Sequence, residues 1–185
     1  MQNIILLGYM GAGKTSVGKA MARKLGLAFY DLDFFIEERF RRKVADIFAE
    51  RGEEGFRKIE YNMLHELAEF EDIVLAVGGG TPCFFDNMDY LNSKGITVFM
   101  NASPEIVVRH LKISHTVRPL LQQKQGQELI DHIRRHMEER MPYYLKAQYN
   151  INVDMLDSFE KIDQLVEHIL ATIGEQKNKL WQNGE

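Results

Sequence analysis

Ile4-Ile5-Leu6-Leu7-Gly8-Tyr9-Met10-Gly11-Ala12-Gly13-Lys14-Thr15 joins an apolar run to a glycine-rich loop, and the 185-residue chain is legible outward from it. Four apolar residues in a row suit a strand buried on both faces of a parallel sheet. Val17, Ala20, Met21 and Leu25 then recur at helical spacing. Gly-x-x-x-x-Gly-Lys-Thr between a strand and a helix is the Walker A phosphate loop. Its glycines let successive backbone N–H groups curl inward into an anion nest, and the helix start adds unpaired N–H groups and a positive dipole end. Lys14 is expected to reach the β- and γ-phosphates, and Thr15 to offer its hydroxyl to Mg²⁺. The competing reading is a glycine-rich turn that merely caps a helix; the strand–turn–helix context favours a nucleoside triphosphate.

Hydrophobic residues make up 45% of the chain, enough for one substantial core. A formal charge of −4 provides no broad basic surface, which argues against nucleic acid. An anionic ligand must then be held by local arginines, not by a global field. A single cysteine, Cys83, excludes an internal disulfide and fits a reducing cytosol. The opening apolar run stops at Gly8, too short for a signal peptide or a membrane span, so a soluble cytoplasmic protein is expected.

Beyond the loop, strand and helix alternate. The first helix runs to about Lys24 with Gly26 as its stop signal, and Leu27–Tyr30 is a short strand ending in Asp31-Leu32-Asp33. Phe34 to Phe70 is helical, with a break expected in Arg51–Gly55. Ile73–Val77 is the third strand and runs into Gly78-Gly79-Gly80; a short helix near Asp86–Asn92 precedes a strand at Ile96–Met100. Ser103 caps a helix with Pro104 at its first position. The polar segment at about 112–125 reads as a mobile loop, Gln127 to about Ala147 as helix, and Ile151–Val153 as a weak last strand. Phe159, Ile162, Leu165, Val166, Ile169 and Leu170 mark a closing helix, and the polar tail beyond Gly174 is expected to fray. The alternation predicts a three-layer α/β/α fold on a parallel sheet, with ligands at the carboxyl ends of the strands.

Those strand ends carry the candidate chemistry. Asp31 and Asp33 lie two apart and, on an extended chain, point the same way. One suits Mg²⁺ through water and the other a substrate hydroxyl; a polar strand exit with a helix cap is the plain alternative. The three glycines at 78–80 allow close approach of a ligand to the backbone, or form a flexible turn before Pro82. Arg57 and Glu60 share a helix face and read, on spacing alone, as a surface ion pair; Arg140 alone reads as a solvated helix residue.

Taken in order, Met10-Gly11-Ala12-Gly13-Lys14-Thr15, Asp31-x-Asp33, Phe56-Arg57-x-x-Glu60, Gly78-Gly79-Gly80, Arg118-Pro119-Leu120-Leu121 and Arg140-x-x-Tyr143-Tyr144 resemble the shikimate kinase family over about residues 2–172. The resemblance implies the nucleoside monophosphate kinase-like P-loop fold with a five-stranded parallel sheet, and transfer of the γ-phosphoryl of ATP to the 3-hydroxyl of shikimate. It implies an ATP site at Gly11, Ala12, Gly13, Lys14, Thr15, Ser16 and Arg118, the arginine arriving from a lid that closes over the phosphates. Asp33 would contact the shikimate hydroxyls and act as base, with Lys14 and Arg118 sharing the catalytic work. Arg57 and Arg140 would hold the carboxylate, Gly78, Gly79 and Gly80 would line the substrate, and Asp31 would help Thr15 place Mg²⁺. The expected organisation is one kinase domain over 1–174, with the lid at about 112–125 and a polar tail over 175–185, acting as a monomer on ATP and shikimate. One departure stands out: many members carry a basic residue near the last strand that packs on the adenine, and Asn150 to Phe159 has no Lys or Arg.

The substrate chemistry agrees with that assignment. A hydroxylated acid needs guanidinium groups, which grip a carboxylate through paired hydrogen bonds, and a carboxylate to orient the attacking hydroxyl. A gluconate-type sugar-acid kinase would share the loop, fold and anionic polyol substrate, but Phe-Arg-x-x-Glu with Gly-Gly-Gly favours shikimate. A GTP-dependent switch should carry Asn-Lys-x-Asp, whereas Asn178-Lys179-Leu180-Trp181 lacks the aspartate. A non-catalytic ATP binder is disfavoured by intact Lys14, Thr15, Asp33 and Arg118.

Overall fold

The apolar run before the phosphate loop is strand β1, Asn3–Leu7, and every residue in it is buried. In a strand successive side chains point to opposite faces. Ile4 and Leu6 accordingly join one hydrophobic cluster, and Ile5 and Leu7 join another. The computed structural model describes residues 2–113, 126–156 and 161–182, with side chains in the last stretch only as far as Glu175.

The other strands are β2 (Ala28–Asp31), β3 (Ile73–Ala76), β4 (Gly95–Asn101) and β5 (Tyr149–Asn152). They form one five-stranded sheet in the order β2-β3-β1-β4-β5. Every neighbouring pair is parallel, with Ile4 opposite Val74 on one side of β1 and Ile96 on the other. Helices α1 (Lys14–Leu25), α5 (Pro104–Ile113) and α7 (Ile162–Gln182) cover one face, through Val17, Met21, Val107, Leu165 and Ile169. Helices α2 (Leu32–Phe40), α3 (Val44–Ala68) and α4 (Asn87–Lys94) cover the other, through Leu32, Ile36, Phe56, Leu64, Leu67 and Leu91. Helix α6 (Gly126–Tyr144) serves both, placing Ile133 and Met137 in the first cluster and Tyr144 in the second. This is the expected three-layer α/β/α P-loop fold. Central β1, at the point where the strand order reverses, delivers the phosphate loop to the carboxyl edge.

Several boundaries differ from the sequence expectations. The helical stretch after β2 breaks in two places. The expected break is at Gly52, with φ 66° and ψ −178°, and an unexpected one follows Phe40, where Arg41 takes a left-handed φ of 51°. Helix ends of that shape are usually marked by glycine, so Arg41 left no sequence signal. Strand β5 begins at Tyr149, two positions ahead of the apolar Ile151, because Tyr149 pairs with Val98 at the sheet edge. Helix α7 continues past Gly174 to Gln182, so the polar tail is helical up to that residue. Of the segment expected to form a lid, Lys112 and Ile113 still belong to α5. Its remainder, with Arg118, lies outside the described residues.

Candidate active site

Gly13 sits in the left-handed region with φ 87° as the N-cap of α1, with no side-chain cap and no acidic residue in the first turn. The positive end of that helix therefore meets no side-chain cap and no acidic residue of its own first turn, which suits an anion. Thr15 and Ser16 follow in the first turn of α1, and Ala12 is fully buried beneath the loop. Lys14 Nζ donates to the carbonyls of Gly8 at 2.8 Å and Tyr9 at 2.9 Å, so its ammonium lies along the loop.

Adjacent to this, the end of β2 carries the two aspartates, but not along one extended strand. Asp31 is extended (φ −119°, ψ 122°) and caps α2, accepting from the Asp33 backbone N–H at 3.1 Å. Asp33 is therefore already helical, and the helix cap that the sequence allowed at this strand exit is Asp31. The other Asp31 oxygen accepts from Thr15 Oγ1 at 2.7 Å. One hydroxyl and one carboxylate, both hard oxygen donors, fit Mg²⁺, which keeps several waters and takes its remaining ligands from phosphates. Among the described residues no cluster of three or more His, Cys, Asp or Glu could hold a metal alone.

The Gly78-Gly79-Gly80 segment lies where the other groups converge. A Cβ at Gly78 would stand 3.2 Å from Asp33 Oδ1 and 3.1 Å from Glu60 Oε1. At Gly79 it would meet Met10 N at 3.2 Å, Gly8 O at 3.3 Å and Arg140 Nη1 at 3.4 Å. At Gly80 it would lie 2.5 Å from Arg57 Nη2. Each glycine thus keeps its backbone against a different candidate group. Asp33, the phosphate loop, Arg140 and Arg57 are all drawn to one short segment at the end of β3.

Arg57 and Glu60 are not the surface pair that spacing alone suggested. Their side chains are 11% and 2% exposed, joined by Arg57 Nη1 to Glu60 Oε2 at 2.6 Å. The second carboxylate oxygen of Glu60 accepts from Thr81 Oγ1, also at 2.6 Å. The Arg57 guanidinium lies 4.1 Å from the Phe84 ring centroid, in cation–π range. Its buried Nε has no hydrogen-bond partner among the described residues, an uncommon state for such a group.

Helix α6 supplies the opposite wall. Tyr144, fully buried, donates its hydroxyl to the Gly79 carbonyl at 2.5 Å, and burial raises its pKa well above that of a free phenol. One turn earlier, Arg140 Nη2 lies 2.8 Å from His136 Nε2, and His136 Nδ1 lies 2.9 Å from the Tyr9 hydroxyl. Burial and the Arg140 charge lower the His136 pKa. These supporting residues were missed in the sequence. Tyr144 stood inside a quoted motif, but nothing in its spacing marked its partner 65 positions away. On the nucleotide side, His110 bridges the Gly11 carbonyl at 2.6 Å and the Leu156 carbonyl at 2.5 Å, tying the phosphate loop to the segment after β5.

Comparison with known proteins gives a consistent result. The family model described as "Shikimate kinase" matches residues 10–174. A shikimate kinase from Bacteroides thetaiotaomicron is 52% identical over 169 residues, covering 91% of this chain and 97% of that protein. A crystal structure of shikimate kinase from the same species superimposes with a TM-score of 0.90 at 50% identity, covering 94% of this chain and 98% of that one. The Acinetobacter baumannii shikimate kinase, solved in complex with shikimate, gives 0.85 at 34% identity, covering 96% and 95%.

Proposed function

The chain belongs to the shikimate kinase family, and from that premise we propose how its own residues transfer the γ-phosphoryl of ATP to the 3-hydroxyl of shikimate, giving shikimate 3-phosphate and ADP. The observation that carries the proposal is the convergence on Gly78-Gly79-Gly80, a segment that packs against the phosphate loop and meets the Asp33 carboxylate and the Arg57 and Arg140 guanidinium groups.

Arg57 and Arg140 grip the acceptor carboxylate from α3 and α6, each able to form paired charge-assisted hydrogen bonds. That anchorage turns the hydroxylated ring toward Asp33, which orients the 3-hydroxyl and accepts its proton as the phosphoryl group arrives. Phosphoryl transfer asks for alignment and charge stabilisation more than covalent help. Backbone N–H groups from Gly11 to Thr15 and the start of α1 cradle the phosphates, with Ser16 in the same turn. Lys14 exchanges the neutral carbonyls of Gly8 and Tyr9 for phosphate oxygens, a stronger charge-assisted pairing. Arg118 reaches the same phosphates and stabilises charge in the transition state.

Thr15 and Asp31 would hold Mg²⁺, which when bound neutralises charge between the β- and γ-phosphates. The lining role of Gly78, Gly79 and Gly80 follows from their lack of side chains. The protein acts as a cytoplasmic monomer in this reading. Among the described residues no helix is long and apolar enough to cross a membrane.

ADP release measured with shikimate and with gluconate as competing acceptors tests the assignment. Turnover with shikimate at least a hundredfold above gluconate is expected, because a site built around a particular set of hydrogen bonds rejects an acceptor that leaves them unpaired. Comparable turnover with both acids would overturn the specificity argued here.

A further inference from the structure

Arginine has no hydrogen-bond acceptor, so the hydrogen in the 2.8 Å contact between Arg140 Nη2 and His136 Nε2 belongs to the arginine. His136 Nε2 must then present its lone pair. A neutral imidazole with a bare Nε2 carries its hydrogen on Nδ1, and Nδ1 lies 2.9 Å from the Tyr9 hydroxyl. Arg140 alone fixes the tautomer, and the Tyr9 hydroxyl, which can donate or accept, takes the hydrogen on Nδ1. Tyr9 belongs to the phosphate loop, and its ring lies 5.5 Å from the Arg140 guanidinium carbon and 5.6 Å, edge-on, from the His136 ring.

We propose that neutral His136 is a positioning residue, holding Arg140 in its carboxylate-gripping orientation from the phosphate loop, and that its protonation releases Arg140 and weakens acceptor binding. The proposal rests on the role given to Arg140 above. An imidazolium cannot keep the arrangement, because a hydrogen on Nε2 would face an Arg140 N–H, two donors and two positive charges at hydrogen-bond distance. Among the described residues, the charged and titratable groups facing His136 are Arg140, Glu139 and His132 on α6, Tyr9 on the loop, and Glu53 on α3. Burial, Arg140 and His132 disfavour the imidazolium, Glu139 and Glu53 favour it, and the balance lowers the His136 pKa. The ring is therefore neutral at neutral pH, and the site loses its hold on the acceptor only as the solution becomes acidic.

The test is the pH dependence of kcat and of KM for shikimate from about pH 5 to 8, a range lying above the ordinary carboxylate pKa values. In the wild type, KM for shikimate rises on the acid side, below the ordinary histidine pKa, while kcat at saturating shikimate changes much less. His136→Gln, whose amide oxygen can accept from Arg140 but does not titrate, keeps KM close to wild type at neutral pH and abolishes the acid-side rise. His136→Leu, lacking the acceptor, raises KM about tenfold at neutral pH, in line with loss of a hydrogen bond to a charged group. His132→Gln retains the acid-side rise, which assigns the titration to His136. A wild-type KM in His136→Leu, or a persistent acid-side rise in His136→Gln, overturns the proposal. Nitrogen NMR of the unmodified protein gives an independent reading: hydrogen on Nδ1 of His136 supports the proposal, and hydrogen on Nε2 overturns it. Arg140→Ala separates the two layers of the argument. If it leaves KM for shikimate unchanged, the carboxylate role of Arg140 fails first; if it raises KM and the His136 variants do not, only the positioning role fails.

Discussion

Glu60 is a carboxylate with almost no contact with water, held by Arg57 on one oxygen and Thr81 on the other. Removing it leaves the Arg57 guanidinium only the longer 3.5 Å contact with the exposed Glu53, and breaking a buried pair from one side typically costs about 3–5 kcal/mol. Glu60→Ala should therefore lower unfolding stability by about that amount in urea melts and also weaken shikimate binding, since Arg57 loses its anchor. The Arg57–Glu60 spacing was plain in the sequence, but spacing does not say which face of a helix turns inward, so the pair read as a solvated one. Arg118→Ala belongs to the same scale. It should lower kcat by roughly a hundredfold in a coupled ADP assay, as removal of a transition-state donor usually does, and a rise in KM with unchanged kcat would contradict its role.

At the scale of elements, the triple glycine and α6 are locked together by Tyr144, and the absence of side chains lets the glycine backbone lie against the arginines. A methyl group at Gly80 would meet the Arg57 guanidinium, which can yield only by disturbing its buried pair with Glu60. Gly80→Ala should therefore lower the melting temperature as well as raise KM for shikimate severalfold. Tyr144→Phe leaves the Gly79 carbonyl without its hydroxyl partner, and loss of one such part-buried hydrogen bond costs about 0.5–1.5 kcal/mol. Its melting temperature should fall, measured by calorimetric scanning. Elements with strong local signals were legible: β1, the phosphate loop, the Gly26 stop of α1, the break at Gly52. Those set by tertiary contacts were not. Arg41 ends α2 without a glycine, and β5 takes its start from pairing with β4, not from its own apolar residues.

Across the whole molecule, the parallel sheet gathers the carboxyl ends of β1, β2 and β3 along one edge, and the candidate groups come from those ends and from α3 and α6 packed around them. The order of motifs along the chain carried the fold class and the acceptor class. The bridges that hold the arginines in place join residues far apart in sequence and leave no local pattern. One such bridge reaches into stability. Because the folded state lowers the His136 pKa, the unfolded chain binds the proton more tightly, and stability falls as pH drops through the ordinary histidine value toward the lowered one. Melting temperatures of wild type and His136→Gln should diverge across that acidic window, with the wild type losing more.

The central claim is that a hydroxylated acid is held between Asp33, Arg57 and Arg140, against the glycines and beside the phosphate loop. Calorimetric titration of shikimate into the wild type, Asp33→Asn and Arg57→Ala measures it most directly. Loss of a charge-assisted contact should weaken binding at least tenfold in each variant while the fold, followed by circular dichroism, is retained. Wild-type affinity in both variants would contradict the account.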